Sequence, residues 1–392
     1  MTKKQDYTLP GIAAMVVLTS FVMFLGWQIA HTINPPTAGD KTRTIGASAH
    51  RQYLVFRSYR VLSRGEQDEP NDDTVEFEFF RYPLDGSALH SESIVRINRQ
   101  RLDDGAGTPW MKRVSDNILL FARRDNDATT ASWIDVSGKQ LRTTDNEEAD
   151  IIWNSLPSPD GHLTSYFNWT TGRIVIIKDQ NLPLEYDLGI EQALVPVAWD
   201  EQSVNLYIKV AAEGGLPQAG LWRLNTSTGE AQEITAVREL SLYDFDIDTS
   251  AGLLVGATFT CTNQEDCGTG PSSLHLVNLN TGELIELFAD DHLAFGHPSI
   301  SPDAKQVAYT LSNGQSDIWI SDLDVAGLDR RIISGKVLDW IADGQWLVAD
   351  RDNEVQLVSI VDGTKTTVAR RAGQYPDADF HGIDYIGIIS KN

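Results

Sequence analysis

Three aspartates that alternate along the segment LYDFDIDTSAG, namely Asp244, Asp246 and Asp248, are the residues of this sequence best suited to binding chemistry. Side chains two residues apart on an extended strand project from the same face, so the three carboxylates would share one face. Hard cations such as Ca²⁺ take several oxygen ligands, and the trio would supply part of such a set. The spacing matches no known calcium loop, however, and aspartates at strand ends commonly form turns. Calcium is therefore the only cofactor that the sequence indicates, and a turn-forming role is the plainer interpretation.

Catalytic signatures are missing from the sequence. It contains no G-x-S-x-G elbow of a serine hydrolase. It also lacks HExxH, CxxC and the glycine-rich phosphate loops. Eight histidines are scattered along the chain, and no local pattern joins them into a metal site. An enzyme of this sequence would need acid and base residues that converge from separate segments.

Two tryptophans are candidate binding anchors. Trp110 lies in the polar loop GAGTPWMKR, and Trp169 lies beside a turn. The other tryptophans fall mainly at strand positions, where core packing is expected. An exposed tryptophan at the rim of a rigid domain is a typical hot spot for a partner.

Only two cysteines occur, Cys261 and Cys267, in the polar segment TFTCTNQEDCGTGPSS. A disulfide between them would order a loop in an oxidising compartment. Two thiols alone cannot form a four-ligand zinc site.

The net charge of the chain is −23, with 55 acidic and 32 basic side chains. A charge of this sign repels phosphate backbones and anionic membrane surfaces, which disfavours nucleic-acid binding.

The N-terminus contains an uncharged apolar run that predicts one transmembrane helix over residues 9–31. Lys3 and Lys4 precede it, so residues 1–8 should stay in the cytoplasm and the remaining chain should be exported. A cleaved signal peptide is the alternative, but the apolar run is longer than the usual h-region. Residues 32–49 are rich in Pro, Gly, Thr and Ser, which is typical of a linker. Residues 50–392 then form the extracytoplasmic domain of a single-pass cell-membrane protein.

The elements that would position all these residues are short strands, because apolar and β-branched runs alternate with turns and no helical period is sustained. Strand-turn-strand units recur at intervals of 36 to 53 residues, which is the spacing of propeller blades. The domain is therefore predicted to be all-β, a seven-bladed β-propeller, with six or eight blades as alternative counts. The seven turns lie at Asp85, Gly138, Asn181, Thr228, Thr281, Ala326 and Asp362.

A second hairpin precedes the marker turn in several units, beginning at Pro157, Ala198, Phe245, Ser301 and Trp340. The C-terminal segment FHGIDYIGII is too apolar to remain unpaired. We expect it to pair into the blade of residues 50–100 and close the ring, with an open stack as the alternative.

The repeats resemble the WD40-like, TolB-type propeller family. The best-matching unit runs from His297 to Gly327 and contains SPDAKQVAYTL followed by DIWISDLD, and NSLPSPDGHLTSYFNW is the second. Ala304 departs from the family pattern by replacing the turn glycine, and Ile300 replaces an aromatic residue. The resemblance implies the fold, and relatives serve as protein-binding platforms of the bacterial envelope or as gating domains beside serine peptidases. A fold alone carries no activity.

Two functions are consistent with these patterns. The first is a membrane-anchored binding or scaffolding module whose partner is an envelope protein or an extracellular ligand. The second is an enzyme, a lyase or hydrolase, with its site in the central channel. A polar cluster with raised carboxylate pKa values at the channel would favour the enzyme, whereas an apolar patch on one face would favour binding.

Overall fold

The computed structural model describes the strands of the domain at residues 50–392 and most of their turns. The described residues are 51–63, 74–84, 92–101, 109–115, 118–125, 128–145, 155–160, 162–178, 183–210, 220–238, 240, 242–259, 272–324, 329–341, 344–351, 354–370 and 380–391. At the ends of some strands only the backbone is described. No helix within these ranges is long and apolar enough to cross a membrane. The predicted span, residues 9–31, and the linker, residues 32–49, lie outside the described residues, as do Cys261 and Cys267.

The described chain forms seven antiparallel sheets of four strands each, so the prediction of seven blades is confirmed. The closing blade contains β1 (Arg51–Ser63), β2 (Thr74–Pro83), β3 (Glu92–Arg101) and the last strand, β28 (Phe380–Lys391). Blade 1 contains β4 (Trp110–Ser115), β5 (Ile118–Asp125), β6 (Ala128–Asp135) and β7 (Gln140–Asp145). Blade 2 contains β8 (Leu156–Pro157), β9 (Leu163–Asn168), β10 (Arg173–Lys178) and β11 (Leu184–Tyr186). Blade 3 contains β12 (Leu194–Trp199), β13 (Asn205–Val210), β14 (Leu221–Asn225) and β15 (Ala231–Glu233).

The remaining blades have the same order. Blade 4 contains β16 (Leu242–Asp248), β17 (Leu253–Phe259), β18 (Ser272–Asn278) and β19 (Leu284–Asp290). Blade 5 contains β20 (Ala294–Ile300), β21 (Gln306–Ser312), β22 (Ser316–Asp322) and β23 (Arg330–Ser334). Blade 6 contains β24 (Lys336–Trp340), β25 (Trp346–Arg351), β26 (Glu354–Ser359) and β27 (Lys365–Arg370). A single turn of 3₁₀ helix, Thr235–Val237, lies between blades 3 and 4.

The two kinds of turn recognised in the sequence have fixed places in the blades that contain them. The described marker turns, at Gly138, Thr228, Thr281 and Asp362, join the third strand to the fourth, and the earlier hairpins join the first strand to the second. Asp85, Asn181 and Ala326 lie outside the described residues. In the first-to-second turn of blade 5, the Ser301 hydroxyl donates to Asp303 (2.8 Å) and accepts the Gln306 amide (2.9 Å). Ser158 makes the same two bonds with Asp160 and the Leu163 amide in blade 2. The Ser-Pro-Asp motif therefore builds the corner through its own side chains.

The apolar core lies between the blades rather than within them. Six clusters of buried side chains each join residues of two neighbouring sheets. Between blades 4 and 5, for example, Val255 and Leu274 pack with Phe295 and Tyr309. One four-stranded sheet cannot bury both of its faces alone, and radial stacking shields each face with the next sheet.

The ring is closed by strand pairing between the two ends of the domain, as predicted. Strand β28 pairs antiparallel with β1 from Arg51↔Lys391 to Val61↔Phe380. It thereby supplies the first strand of a blade whose other three strands come from the N-terminal end. Closure removes an exposed sheet edge and couples the ends of the chain.

Candidate functional site

The first strand of each blade lies nearest the propeller axis. Contacts join β16 to β20, β20 to β24, and β28 to β4, whereas residues of fourth strands such as β19 are largely exposed. We call β4, β8, β12, β16, β20, β24 and β28 the inner strands. Side chains that leave them towards the axis line the central channel of the fold.

Six of the seven inner strands contain a β-bulge, and the seventh, β8, has only two residues. In β24 the bulge lies immediately before Asp339, and in β28 it follows Tyr385. An extra residue in one strand of a pair bends the strand and changes the direction of the neighbouring side chains. The bulges therefore set which inner-strand side chains face the channel.

Asp246 and Asp339 occupy the same position in blades 4 and 6, two residues before the first-to-second turn. Each carboxylate accepts the amide of the following residue, with Asp246 Oδ1 to Ile247 at 2.9 Å and Asp339 Oδ1 to Trp340 at 2.8 Å. The second oxygen reaches the next blade. Asp246 Oδ2 accepts the Ile300 amide at 2.8 Å.

Tyr385 and Arg113, which come from two further blades, both interact with Asp339. The Tyr385 hydroxyl on β28 donates to Asp339 Oδ2 at 2.8 Å. The Arg113 guanidinium on β4 acts electrostatically on both Asp339 and Tyr385. We call Asp246, Asp339, Tyr385 and Arg113 the axial cluster. Its members come from blades 4, 6 and 1 and from the closing blade.

Burial dominates the electrostatics of the axial cluster. Both carboxylates are enclosed by protein but keep part of their surface open, as expected of residues that line a channel. Desolvation raises the pKa of Asp246, its two amide bonds oppose the rise, and the charge of Asp339 adds to it. Desolvation also raises the pKa of Asp339, against the bonds from Tyr385 and Trp340 and the charge of Arg113. Burial, with the adjacent Asp339 carboxylate, raises the pKa of Tyr385 well above its usual value.

The Asp246 and Asp339 carboxyl groups therefore hold their protons more tightly than ordinary surface aspartates do. Two carboxyl groups with raised pKa values, a phenol and a guanidinium are the groups that acid and base chemistry uses. Within the described ranges, no set of three or more His, Cys, Asp or Glu side chains is arranged to hold a metal ion.

The three aspartates of the sequence motif have separate roles in the structure. Asp244 Oδ2 accepts the His297 amide at 2.7 Å and lies 3.3 Å from His297 Nδ1. Asp246 belongs to the axial cluster. Asp248 Oδ1 accepts the amides of Ser250 and Ala251 and so caps the first-to-second turn. The described contacts are thus to amides, a histidine and a hydroxyl, and the calcium interpretation stays a prediction.

One face of the propeller contains the turns between second and third strands and the connections between blades. We call it the linker face; it includes residues 169–172, residues 313–315 and Gly335. The opposite face contains the first-to-second and third-to-fourth turns, and we call it the hairpin face.

Three consecutive blades each place one large apolar side chain on the linker face. Trp169, in the second-to-third turn of blade 2, is 72% exposed and its ring stands edge-on to Phe167. Val195 and Tyr243, each the second residue of an inner strand, are 44% and 46% exposed. We call Trp169, Val195 and Tyr243 the linker-face patch. Trp110 begins β4, but its side chain lies outside the described residues.

Sequence reasoning identified Asp246 and Trp169 but missed Asp339, Tyr385, Arg113 and Tyr243. A signal for Asp339 was present, because it precedes the turn of WIADG by the same distance at which Asp246 precedes its own turn. The contributions of Tyr385 and Arg113 depend on ring closure and on bulges, which leave no local pattern.

Comparisons with known proteins support the fold and no more. No protein-family model matches the sequence, and no curated protein matches it. Among solved structures, a prolyl endopeptidase is 12% identical with a TM-score of 0.54, and the match covers 84% of this chain and 50% of that one. TolB from Acinetobacter baumannii is 16% identical with a TM-score of 0.38, covering 68% of this chain and 69% of that one.

The propeller domain of Cps50 (Swd1) from Myceliophteria thermophila is 10% identical with a TM-score of 0.46, covering 83% of this chain and 98% of that one. The seven four-stranded sheets establish a seven-bladed β-propeller, and the likeness to the prolyl endopeptidase is a likeness of that fold alone.

Proposed function

We propose that this protein is a membrane-anchored module of the bacterial cell envelope whose propeller binds a partner protein through its linker face. The observation that carries the proposal is the linker-face patch, three large apolar side chains that consecutive blades hold exposed on one face. Aromatic anchors on a rigid scaffold lose little conformational entropy on binding, which makes them effective hot spots.

The anchor and the compartment come from the N-terminal sequence. The apolar run at residues 9–31 with Lys3 and Lys4 before it supports a single span with the propeller outside the cytoplasm.

The charge of the protein defines the chemistry of the partner. With a net charge of −23, the chain attracts a basic surface and repels an acidic one. The partner is therefore a protein with a positively charged surface around an apolar centre that accepts Trp169 and Tyr243.

Site-specific photo-crosslinking in intact cells tests the proposal. A benzophenone amino acid replaces Trp169 or Tyr243 in the full chain, and the control carries it at Val361, which is 59% exposed on the hairpin face. The proposal predicts one discrete adduct from positions 169 and 243, and none of that mass from position 361. Absence of the adduct, or equal yield from all three positions, would contradict it.

The purified partner then permits a quantitative test. Tyr243→Ala and Trp169→Ala should each weaken its binding by about tenfold or more, as expected for hot-spot residues. Ile285→Ala, on the exposed outer strand of blade 4, should leave the affinity unchanged. Binding should also weaken as the salt concentration is raised, because the added ions screen the attraction between the opposite charges of the two proteins.

A second candidate function rests on the axial cluster. Asp246 and Asp339 are held in the channel with raised pKa values, which is the property expected of a catalytic acid or base in a lyase or glycoside hydrolase. Turnover of a polysaccharide and peptide panel would support this function if Asp246→Asn and Asp339→Asn abolish it and Asp291→Asn, an exposed control, does not. No turnover by the wild-type protein would leave the binding function as the better account.

A further inference from the structure

A cleft of about 540 Å³ opens on the linker face between blades 5 and 6. It is separate from the linker-face patch, which belongs to blades 2 to 4, and from the axial cluster. Its side chains are Gln315, Ser316, Ser334, Lys336, Asp350 and Arg351. They come from the β21–β22 turn, the connection between the two blades, and the end of β25.

Two glycines shape this interblade cleft. The Gly335 amide donates to the Ser316 carbonyl at 2.8 Å, and a Cβ at Gly335 would lie 2.7 Å from the Asp350 carbonyl oxygen. Only glycine lets the connection pass this close to both blades, and its φ of 142° also favours glycine. Around Gly314 a Cβ would meet no atom within 4 Å, so the opposite wall leaves space. The backbone of the Gly335 connection thus fixes one wall of the cleft.

The lining is polar and locally cationic. The lining contains Lys336 and Arg351 against the one negative charge of Asp350, and Arg351 and Asp350 also interact with other groups of the protein. Lys336 is exposed and lies opposite Asp350 in the backbone register of β24 and β25, and among the described residues its ammonium makes no ion pair. The exposed Gln315 amide and two serine hydroxyls complete the wall. The Ser316 hydroxyl lies 2.8 Å from that of Ser312, and the Ser334 hydroxyl accepts the Arg331 guanidinium at 3.0 Å.

These groups select a ligand class. Ammonium and guanidinium groups bind carboxylates by charge-assisted hydrogen bonds. Hydroxyl, amide and carboxylate side chains match the donors and acceptors of a polyol. An apolar ligand would leave the polar wall unsatisfied, at a cost in affinity.

We propose that the interblade cleft binds a sugar acid, a small molecule that combines a carboxylate with several hydroxyl groups. Its volume lies within the range of about 300–1,000 Å³ that small-molecule sites occupy. Lys336 holds the carboxylate, and Gln315 and Ser316 take up the hydroxyl groups. This site is independent of the proposed partner protein, because a different set of blades forms it.

Titration calorimetry of the full chain in detergent with D-glucuronate tests the proposal, with methyl glucoside and acetate as separate probes. Saturable binding of glucuronate is expected, tighter than that of either probe. Lys336→Gln should weaken it by about tenfold or more through loss of a charge-assisted bond. Lys365→Gln, an exposed lysine on the fourth strand of blade 6, should bind as the wild type does.

The hydroxyl contacts have their own test. Gln315→Ala removes an exposed side chain, so the fold should be unaffected; equal melting temperatures of the variants and the wild type check this. This variant should lose part of the preference for glucuronate over acetate. The proposal is overturned if the wild type does not bind glucuronate, if acetate binds equally well, or if Lys336→Gln binds glucuronate with unchanged affinity. Because Trp169 and Tyr243 are distant in the chain and on other blades, failure here leaves the crosslinking result intact.

Discussion

Replacement of Ala304 by glycine should stabilise the propeller. Ala304 lies in the first-to-second turn of blade 5 with a φ of 56°, in the left-handed region. Its amide donates to the Ser301 carbonyl, and the Gly344 amide makes the same bond to Ile341 in blade 6. Gly344 has a φ of 67°, so the two turns share one conformation and differ in the residue that adopts it.

The magnitude follows from two opposing backbone effects, and loss of the partly buried Ala304 methyl from the core between blades 4 and 5 reduces the gain. A side chain in the left-handed region costs about 1–2 kcal/mol relative to glycine. Glycine makes the unfolded chain more flexible, which costs about 0.4–1 kcal/mol. We therefore expect Ala304→Gly to raise the free energy of unfolding by about 0.5–1 kcal/mol as the difference between these two effects.

Gly344→Ala is the matched control in the opposite direction. A Cβ at Gly344 would meet only Pro302 Cδ, at 4.0 Å, so backbone strain is the sole expected penalty. This variant should lose about 0.5–1 kcal/mol, and the double variant should resemble the wild type.

Urea unfolding of the four proteins, all as residues 50–392, provides the measurement, with the midpoint compared at a common slope. If Ala304→Gly were neutral or destabilising while Gly344→Ala lowered the midpoint, the two turns would not share the left-handed conformation, and the reasoning would be refuted.

Three further predictions concern the inner strands. Asp339→Asn should flatten the dependence of stability on pH, because the folded state holds the Asp339 proton more tightly than the unfolded state does. Wild-type stability should fall by about 1.4 kcal/mol for each pH unit between the usual aspartate pKa and the raised pKa of Asp339. Thermal melts across pH 4–8 would show this. Tyr385→Phe removes the hydroxyl that donates to the same carboxylate and should lower the free energy of unfolding by about 1.5–3 kcal/mol at neutral pH. Urea unfolding measures this, and an unchanged midpoint would show that the hydrogen bond is absent in solution. Trp340→Phe removes the 2.8 Å hydrogen bond from the indole to the Ser299 carbonyl of blade 5 and leaves a smaller ring in a buried site. The free energy of unfolding should fall by roughly 2–4 kcal/mol, and a fall below about 0.5 kcal/mol would contradict the interblade bond.

The fold was predictable because its signals are local and repeated. Polar turns between short apolar strands, such as those at Thr228 and Thr281, fixed the number of blades. Closure was predictable from an apolar C-terminal segment that had no other strand to pair with. In both cases the physical cause, burial of strand faces and satisfaction of backbone groups, acts over a few residues at a time.

The site was predictable only in part, because it depends on positions that the closed ring brings together. Asp246 was recognisable because it alternates with Asp244 and Asp248 in the sequence. That alternation implied one shared role, but in the structure each of the three carboxylates has its own partners. Asp339 looked like an ordinary residue of a turn. Tyr385 acquires its partner from a strand 46 residues earlier, after β28 has crossed to the other end of the domain.

The β-bulges explain why the directions of the Asp339 and Tyr385 side chains could not be predicted from the sequence. Strict alternation along β24 and β28 would place the side chains of each strand on two regular faces. The extra residue next to Asp339 and Tyr385 breaks that alternation. Such irregularities arise from packing around the axis, so they could not be read from hydrophobic periodicity.

Amide hydrogen exchange of the C-terminal strand tests the closed ring most directly, since the axial cluster depends on β28 being paired with β1. Exchange is measured by mass spectrometry on peptides that contain β28, β1 and, as a reference, β25. A closed ring predicts that amides of residues 383–389 are protected as strongly as their partners in β1. Exchange of β28 at the rate of an unstructured peptide, with β25 still protected, would contradict it.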